Sequence, residues 1–274
     1  MSIIQAIILG IIQGLTEFLP VSSSGHLEIG KALLNVTLEE DLGFTVIVHL
    51  ATVLSTITVF FKEIKKLSTG ILQFKWNDDM KYGLKIIISA IPVLVVGLLF
   101  EDEVEGLFMK TQKGVADSGN HYNLILVGSA LLFTALLLGI TSFVKSGKTK
   151  HIPFLDAFII GIAQAFAVVP GLSRSGSTIA TGLLLKNNRE DVARFSFLMV
   201  LIPIIGASGL KLLEWIEAGT TSTGIPQLVF GFLASFISGY FACKWMINIV
   251  KKGKLIWFAL YCAVIGLISI FFSL

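Results

Sequence analysis

The sequence predicts an all-α polytopic membrane protein with an inverted-topology repeat, each half one re-entrant helical hairpin plus three transmembrane helices. Three observations predict it. Of 274 residues, 54% are hydrophobic and only 14% charged, where a soluble domain carries roughly a quarter charged residues; mean hydropathy is +0.86. Apolar segments of about twenty residues, long enough to span a bilayer, recur along the chain. Two shorter apolar runs each end in a proline, a Ser/Gly-rich turn and a second short segment. The whole chain, 1–274, reads as one integral membrane domain with halves at 1–150 and 151–274.

The first short run, 3–19, is followed by 26–34, and the second, 154–169, by 177–186. Helix, break, helix is the pattern of a hairpin that returns to the side it entered from. Uninterrupted spans are expected at 43–61, 82–100, 121–144, 226–249 and 255–273, and a sixth at 192–213 is interrupted by Pro203 and Gly206. Met1 to Leu9 has no basic n-region and is expected to belong to the fold. Cys243 and Cys262 lie in apolar segments and suggest neither a disulfide framework nor a metal site.

The halves resemble each other. "GIIQGLTEFLPVSSSGHL" (10–27) aligns without gaps on "GIAQAFAVVPGLSRSGST" (161–178), matching at six of eighteen positions, including Gln13/Gln164 and an S-x-S-G core at Ser22/Ser173. A hairpin plus three spans is an odd number of crossings, so a duplicated half inserts upside down and both breaks can meet near the midplane. Lysines set the orientation. Lys62, Lys65, Lys66, Lys75 and Lys81 fill the loop after the first span, Lys145, Lys148 and Lys150 follow the third, and Lys251, Lys252 and Lys254 lie between the last two. The 101–106 loop and the turn with Glu214 and Glu217 are acidic. The lysine-rich loops are therefore expected inside and both termini outside. With a net charge of +3, no nucleic-acid partner is expected.

Ionisable groups at membrane depth are functional candidates, and Glu17, His26 and Arg174 lie in or beside the breaks. Gln13 and Glu17 are four apart on one helical face. Second helices beginning near Ser24–Gly25 and Ser175–Gly176 would point unpaired N–H groups into the breaks, and such termini bind phosphate. Arg174 adds a bidentate fork for phosphate oxygens. One arginine is too little charge for a diphosphate, and Gln13 and Glu17 are oxygen ligands suited to Mg²⁺ or Ca²⁺. No His/Cys cluster supports zinc, and no Walker A sequence implies ATP. Attack could come from Ser23 with His26 as base, from His26 itself, or from a metal-activated water. His49 reads as an interior hydrogen-bonding residue, His121 and His151 as interfacial, Asp156 as a helix cap, and Glu28 as lining the outer mouth.

"QGLTEFLPVSSSGH" (13–26) and "PGLSRSGST" (170–178) resemble the paired motifs of the bacterial undecaprenyl-diphosphate phosphatase family, the bacitracin-resistance proteins; "DAFIIGIAQAFAVVPG" (156–171) and "ARFSFLMVLIP" (193–203) extend the likeness along the chain. The resemblance implies a magnesium- or calcium-dependent enzyme of the bacterial inner membrane, with its active site opening to the periplasm. It would remove the terminal phosphate of the C55 isoprenoid diphosphate and so recycle the lipid carrier for peptidoglycan synthesis. It places the family's acidic pair on Gln13 and Glu17, its serine–histidine turn on Ser22, Ser23 and His26, and its arginine motif on Ser173, Arg174, Ser175 and Thr178. Catalysis is thus expected of Glu17, Ser23, His26 and Arg174, and phosphate binding of Ser22, Ser24, Gly25, Ser173, Ser175, Gly176 and Thr178. A homodimer and membrane lipids are the further expected partners.

The rival expectation is a polyprenyl-phosphate transporter or flippase, because inverted repeats with broken helices are transporter architecture. A transporter has no use for a nucleophile or base beside the phosphate. The orientation is testable: a cysteine placed at position 103 should react with an impermeant reagent from outside, and one at 148 should not. The reverse pattern would sink the lysine argument.

Overall fold

The computed structural model of the chain describes residues 1–36, 42–100, 103, 121–147, 151–218 and 223–272. Every regular element among them is helical: α1 Ile3–Phe18, α2 Ser23–Leu34, α3 Leu42–Val59, α4 Phe61–Ile71, α5 Asp78–Leu99, α6 His121–Thr141, α7 Phe154–Phe166, α8 Arg174–Leu184, α9 Arg189–Met199, α10 Leu201–Ala218, α11 Ile225–Lys251 and α12 Ile256–Phe271. Lys148, Lys150 and the acidic 101–106 loop apart from Glu103 lie outside the described residues, as do the side chains of His121 and Glu214.

Both expected hairpins are present. α1 has 16 residues, roughly 24 Å of helix, short of the ~30 Å hydrocarbon core. Ser2 and Gln5 close a capping box at its start, and the chain turns back through Pro20 to Ser22. Gln5 Nε2 then donates to the Leu34 carbonyl (2.9 Å), which brings the end of α2 back beside the start of α1. In the second hairpin Asn187 Nδ2 donates to Asp156 Oδ2 (2.7 Å), returning the chain beside the start of α7. Asp156 is therefore not the cap. Pro153, extended at φ −62°, ψ 158°, is the N-cap, and Asp156 sits in the first turn.

The second helices begin a residue or two earlier than expected, at Ser23 and Arg174. The cause is the same on both sides. Ser22 Oγ accepts from Gly25 N–H (3.3 Å) and Ser173 Oγ from Gly176 N–H (3.1 Å), so each serine caps the residue three positions on. The lysine-rich segment expected as a loop contains α4, bent 75° from α3. Ile64 and Leu67 pack on the core while Lys62, Lys65 and Lys66 occupy the other side, an amphipathic pattern the lysine count obscured. The interrupted span breaks at Val200, because Pro203 has no N–H to give the Met199 carbonyl.

By length and composition Asp78–Leu99, Arg189–Leu210 and Ile225–Lys251 can each cross a membrane, and the bent α3–α4 pair could form a fourth crossing; Ile125–Thr141 and Ile256–Phe271 are shorter apolar helices. The chain is a multi-pass membrane protein. α1 packs along α11, α7 along α5, and α6 along α12. A Cβ on Gly10 would lie 2.4 Å from the Gly231 carbonyl oxygen, and one on Gly161 2.3 Å from that of Ser89, so both short helices approach their partners backbone to backbone. Phe18, Phe60, Phe195, Phe197, Met199 and Met246 fill the main core beneath the first break.

The two hairpins start from opposite ends of α11. Gln227, in its first turn, donates to the Met1 carbonyl (3.2 Å). At its other end Lys251 pairs with Glu190 (2.8 Å), next to the Asn187 that holds Asp156. Arg189 also reaches the Val144 carbonyl (3.3 Å), so the basic ends of α6, α8 and α11 share one face.

The glycine contacts give a stability test. Gly10→Leu should cost about 1–3 kcal/mol through overpacking, read as a lower unfolding temperature in detergent. Gly97→Ala, where the added carbon meets nothing outside its own helix backbone within 4 Å, should not lower that temperature and should raise it slightly if anything.

Candidate active site

The breaks meet, and they hold each other. Ser24 Oγ accepts from Gly171 N–H (3.4 Å), and Ser175 Oγ donates to the Leu19 carbonyl (3.1 Å), so each break's serine reaches across to the other's backbone. Within each break the capping serine lies 3.3 Å from the serine two residues on: Ser22 from Ser24, Ser173 from Ser175. Gly171 is held at φ +83°, where a Cβ would also lie 2.7 Å from Val127 Cα; only glycine suits that place. Ser22 takes φ +71°, a left-handed conformation uncommon outside glycine and concentrated at functional sites.

Glu17 is the centre of the cluster, its side chain only 6% exposed. One carboxylate oxygen, Oε1, pairs with Arg174 Nη2 from the second hairpin. The other, Oε2, accepts from Ser23 Oγ at 2.7 Å and from Gln13 Nε2 at 3.0 Å. A buried carboxylate requires such partners, since desolvation without them costs several kcal/mol. Gln13, Glu17, Ser23 and Arg174 are thus brought together as the sequence predicts. Thr178 stands one helical turn behind, donating to the Arg174 carbonyl (3.0 Å) and lying 2.6 Å from Ser196 Oγ. Beside Glu17 and Arg174 a cavity opens, walled by Thr52, Thr56, Ser175, Thr178 and Ser196 and by Phe18, Phe197, Val200 and Ile204.

His26 is not the partner of Ser23. Its Nδ1 lies 2.8 Å from the Ser22 carbonyl oxygen and its Nε2 2.8 Å from Tyr261 Oη. Starting α2 at Ser23 turns that hydroxyl back toward α1, while His26, three residues on, faces α12. The expected serine–histidine pair is replaced by a serine–glutamate pair. Sequence reasoning missed Tyr261, which no spacing rule ties to a residue so distant in the chain. It also passed over Thr52 and Thr56, although two hydroxyls four apart inside an apolar span repeat the Gln13–Glu17 spacing. His49, read as an interior residue, bonds through Nδ1 with the Thr45 carbonyl (2.8 Å).

The donors suit a hard divalent cation in part. Gln13 is wholly buried and its Oε1 has no hydrogen-bond partner, so an amide oxygen next to the Glu17 carboxylate remains to be satisfied. Two protein oxygens are too few for a resident ion, and phosphate oxygens and water would complete its shell. Among the described residues no three His, Cys, Asp or Glu side chains gather as a metal-holding group.

Comparison with known proteins identifies the family. The family model described as Bacitracin resistance protein BacA matches residues 6–268. The chain belongs to that family. Curated relatives named Undecaprenyl-diphosphatase include one from Parabacteroides distasonis, 53% identical over 272 residues and covering 98% of each chain. One from Bacteroides fragilis is 52% identical over 98% of this chain and 97% of its own. Another from Christiangramia forsetii is 51% identical over 100% of this chain and 99% of its own. The family match takes in both breaks and every residue of the Glu17 cluster.

The ion pair gives a prediction independent of activity. Arg174→Ala leaves Glu17 buried and uncompensated and should destabilise the protein by roughly 3–5 kcal/mol. Adding Glu17→Gln should restore much of the loss of unfolding temperature. If the double variant is no more stable than Arg174→Ala, the pair does not govern stability.

Proposed function

We propose that the chain is an undecaprenyl-diphosphate phosphatase, releasing inorganic phosphate and undecaprenyl phosphate and so returning the lipid carrier to cell-wall synthesis. The observation that carries this reading is the bond from Ser23 Oγ to Glu17 Oε2, 2.7 Å, on a carboxylate whose other oxygen is paired with Arg174. A hydroxyl, a base within reach and a phosphate-binding cation are the parts of a nucleophilic displacement at phosphorus. The names of the curated relatives support the substrate.

In this reading the diphosphate enters with its lipid tail in the bilayer and its terminal phosphate at the meeting of the breaks. Arg174 holds Glu17 through Nη2 alone, and the remaining donors of its five-donor fork receive phosphate oxygens. The first-turn N–H groups of α2 and α8 that the serine caps leave free would favour an anion between the breaks. Ser23 Oγ attacks the terminal phosphorus and gives its proton to Glu17; the bond from that phosphorus to the bridging oxygen breaks, and the lipid monophosphate leaves. Glu17 gives that proton up to the departing monophosphate. Water then attacks the phosphoserine and loses its proton to Glu17, the bond from phosphorus to Ser23 Oγ breaks, Ser23 Oγ takes the proton back from Glu17, and inorganic phosphate is released. Gln13 and Glu17 would hold Mg²⁺ or Ca²⁺, which when bound neutralises charge on the phosphates. His26, in the first turn of α2, would meet the diphosphate from the side of the first break.

The two halves, 1–150 and 151–274, form in this reading an inverted repeat set in the inner membrane, the site opening to the periplasm. Entry of the hairpins from opposite ends of α11 and the basic face joining the ends of α6, α8 and α11 support it. A transporter reading draws on the same opposed hairpins, but leaves the Ser23–Glu17 bond without a purpose.

The decisive experiment is phosphate release from a prenyl diphosphate by purified protein in detergent. Ser23→Ala and Glu17→Gln should each abolish most turnover, and the double variant should lose no more than the worse single one, since the pair acts as a unit. Arg174→Lys should lose about 10²–10³ in rate, because an ammonium lacks the fork. Chelator should lower turnover, and Gln13→Glu should reduce the metal concentration needed to restore it. Substrate binding without phosphate release would favour the transporter.

A further inference from the structure

Tyr261 belongs to α12, the last helix of the chain, yet its hydroxyl lies 2.8 Å from His26 Nε2 in the first hairpin. The two rings stack, centroids 5.6 Å apart and planes 15° from parallel. The next residue, Cys262, is fully buried with Sγ 3.5 Å from the Pro20 carbonyl oxygen. Two consecutive residues therefore pin α12 to the first break, and Tyr261 is placed against His26 by the fold.

The chemistry of the contacts fixes the imidazole. The Ser22 carbonyl can only accept, so Nδ1 carries the proton. In the neutral ring Nε2 is then the acceptor, and the hydroxyl on it is that of Tyr261. A histidine whose tautomer and tilt are both set meets what enters the site in one defined form. Ser23 already has its base in Glu17, so Nε2 is not needed for activating the serine.

We infer that Tyr261 is a positioning residue for His26. Its hydroxyl on Nε2 and its ring against the imidazole hold His26 at the first break in one tautomer and one tilt, in the free and the substrate-bound site alike. The inference rests on the phosphatase reading for what His26 meets, and not for the Tyr261–His26 bond itself.

The test separates the two. Tyr261→Phe keeps the ring and removes the hydroxyl. With only four histidines in the chain, the nitrogen-15 signals of His26 can be assigned in detergent by comparison with His26→Gln. At about pH 8.5, where an ordinary imidazole is neutral, the wild type should show a protonated Nδ1 and an Nε2 shifted by hydrogen bonding. In Tyr261→Phe the Nε2 signal should move to the unbonded position while Nδ1 stays, which also shows that the first break is still folded. An unmoved Nε2 signal overturns the inference whether or not the protein is a phosphatase. In the turnover assay, kcat/KM should fall about tenfold, the weight of one hydrogen bond, with Tyr261→Leu lower still. A shifted Nε2 signal with unchanged kcat/KM in both variants would likewise overturn the positioning role.

Discussion

A single carboxylate at membrane depth organises this molecule. Glu17 is nearly sealed from solvent, and an ionised group there is tolerable only if its lone pairs are met. Meeting them requires a guanidinium from one hairpin and a hydroxyl from the other, at the ends of helices that stop short of crossing. The breaks, the serine caps and the cross-ties through Ser24 and Ser175 are what let these groups converge. The close backbone packing at Gly10 and Gly161 in turn brings α1 and α7 deep enough for the breaks to touch.

Most of this frame was legible in the chain. Pro20 and Pro170 with their serine turns mark the breaks, and the i, i+4 spacing of Gln13 and Glu17 puts both on one face. Arg174 reads as a phosphate ligand on chemistry alone. What was not legible depends on a helix's phase. Moving the start of α2 from Ser24–Gly25 to Ser23 rotates every following side chain relative to α1, and that rotation decides whether Ser23 meets Glu17 or His26. A sequence rule for capping names a short list of serines but cannot select among three in a row.

The other hidden features are long-range or amphipathic. Tyr261 reaches His26 across most of the chain, and its signal in the sequence is one phenol in an apolar helix. The lysines of α4 signal topology and mask its helix, although Ile64 and Leu67 repeat at a helical interval among them. Asp156 reads as a cap in the sequence because it stands near a helix start, but Pro153, with its fixed φ, holds that position.

The meeting of two unequal breaks has a consequence for how such a site can arise. Ser23 and Arg174 occupy equivalent positions in the ungapped alignment of the two hairpins, and they grip opposite oxygens of the same carboxylate. A symmetric pair of identical halves would place two serines there, or two arginines, never one of each. Joining both halves in one polypeptide frees each position to diverge, so one copy can specialise in attack and the other in charge. In the phosphatase reading the difference between the two breaks, more than their likeness, is what makes a reactive centre.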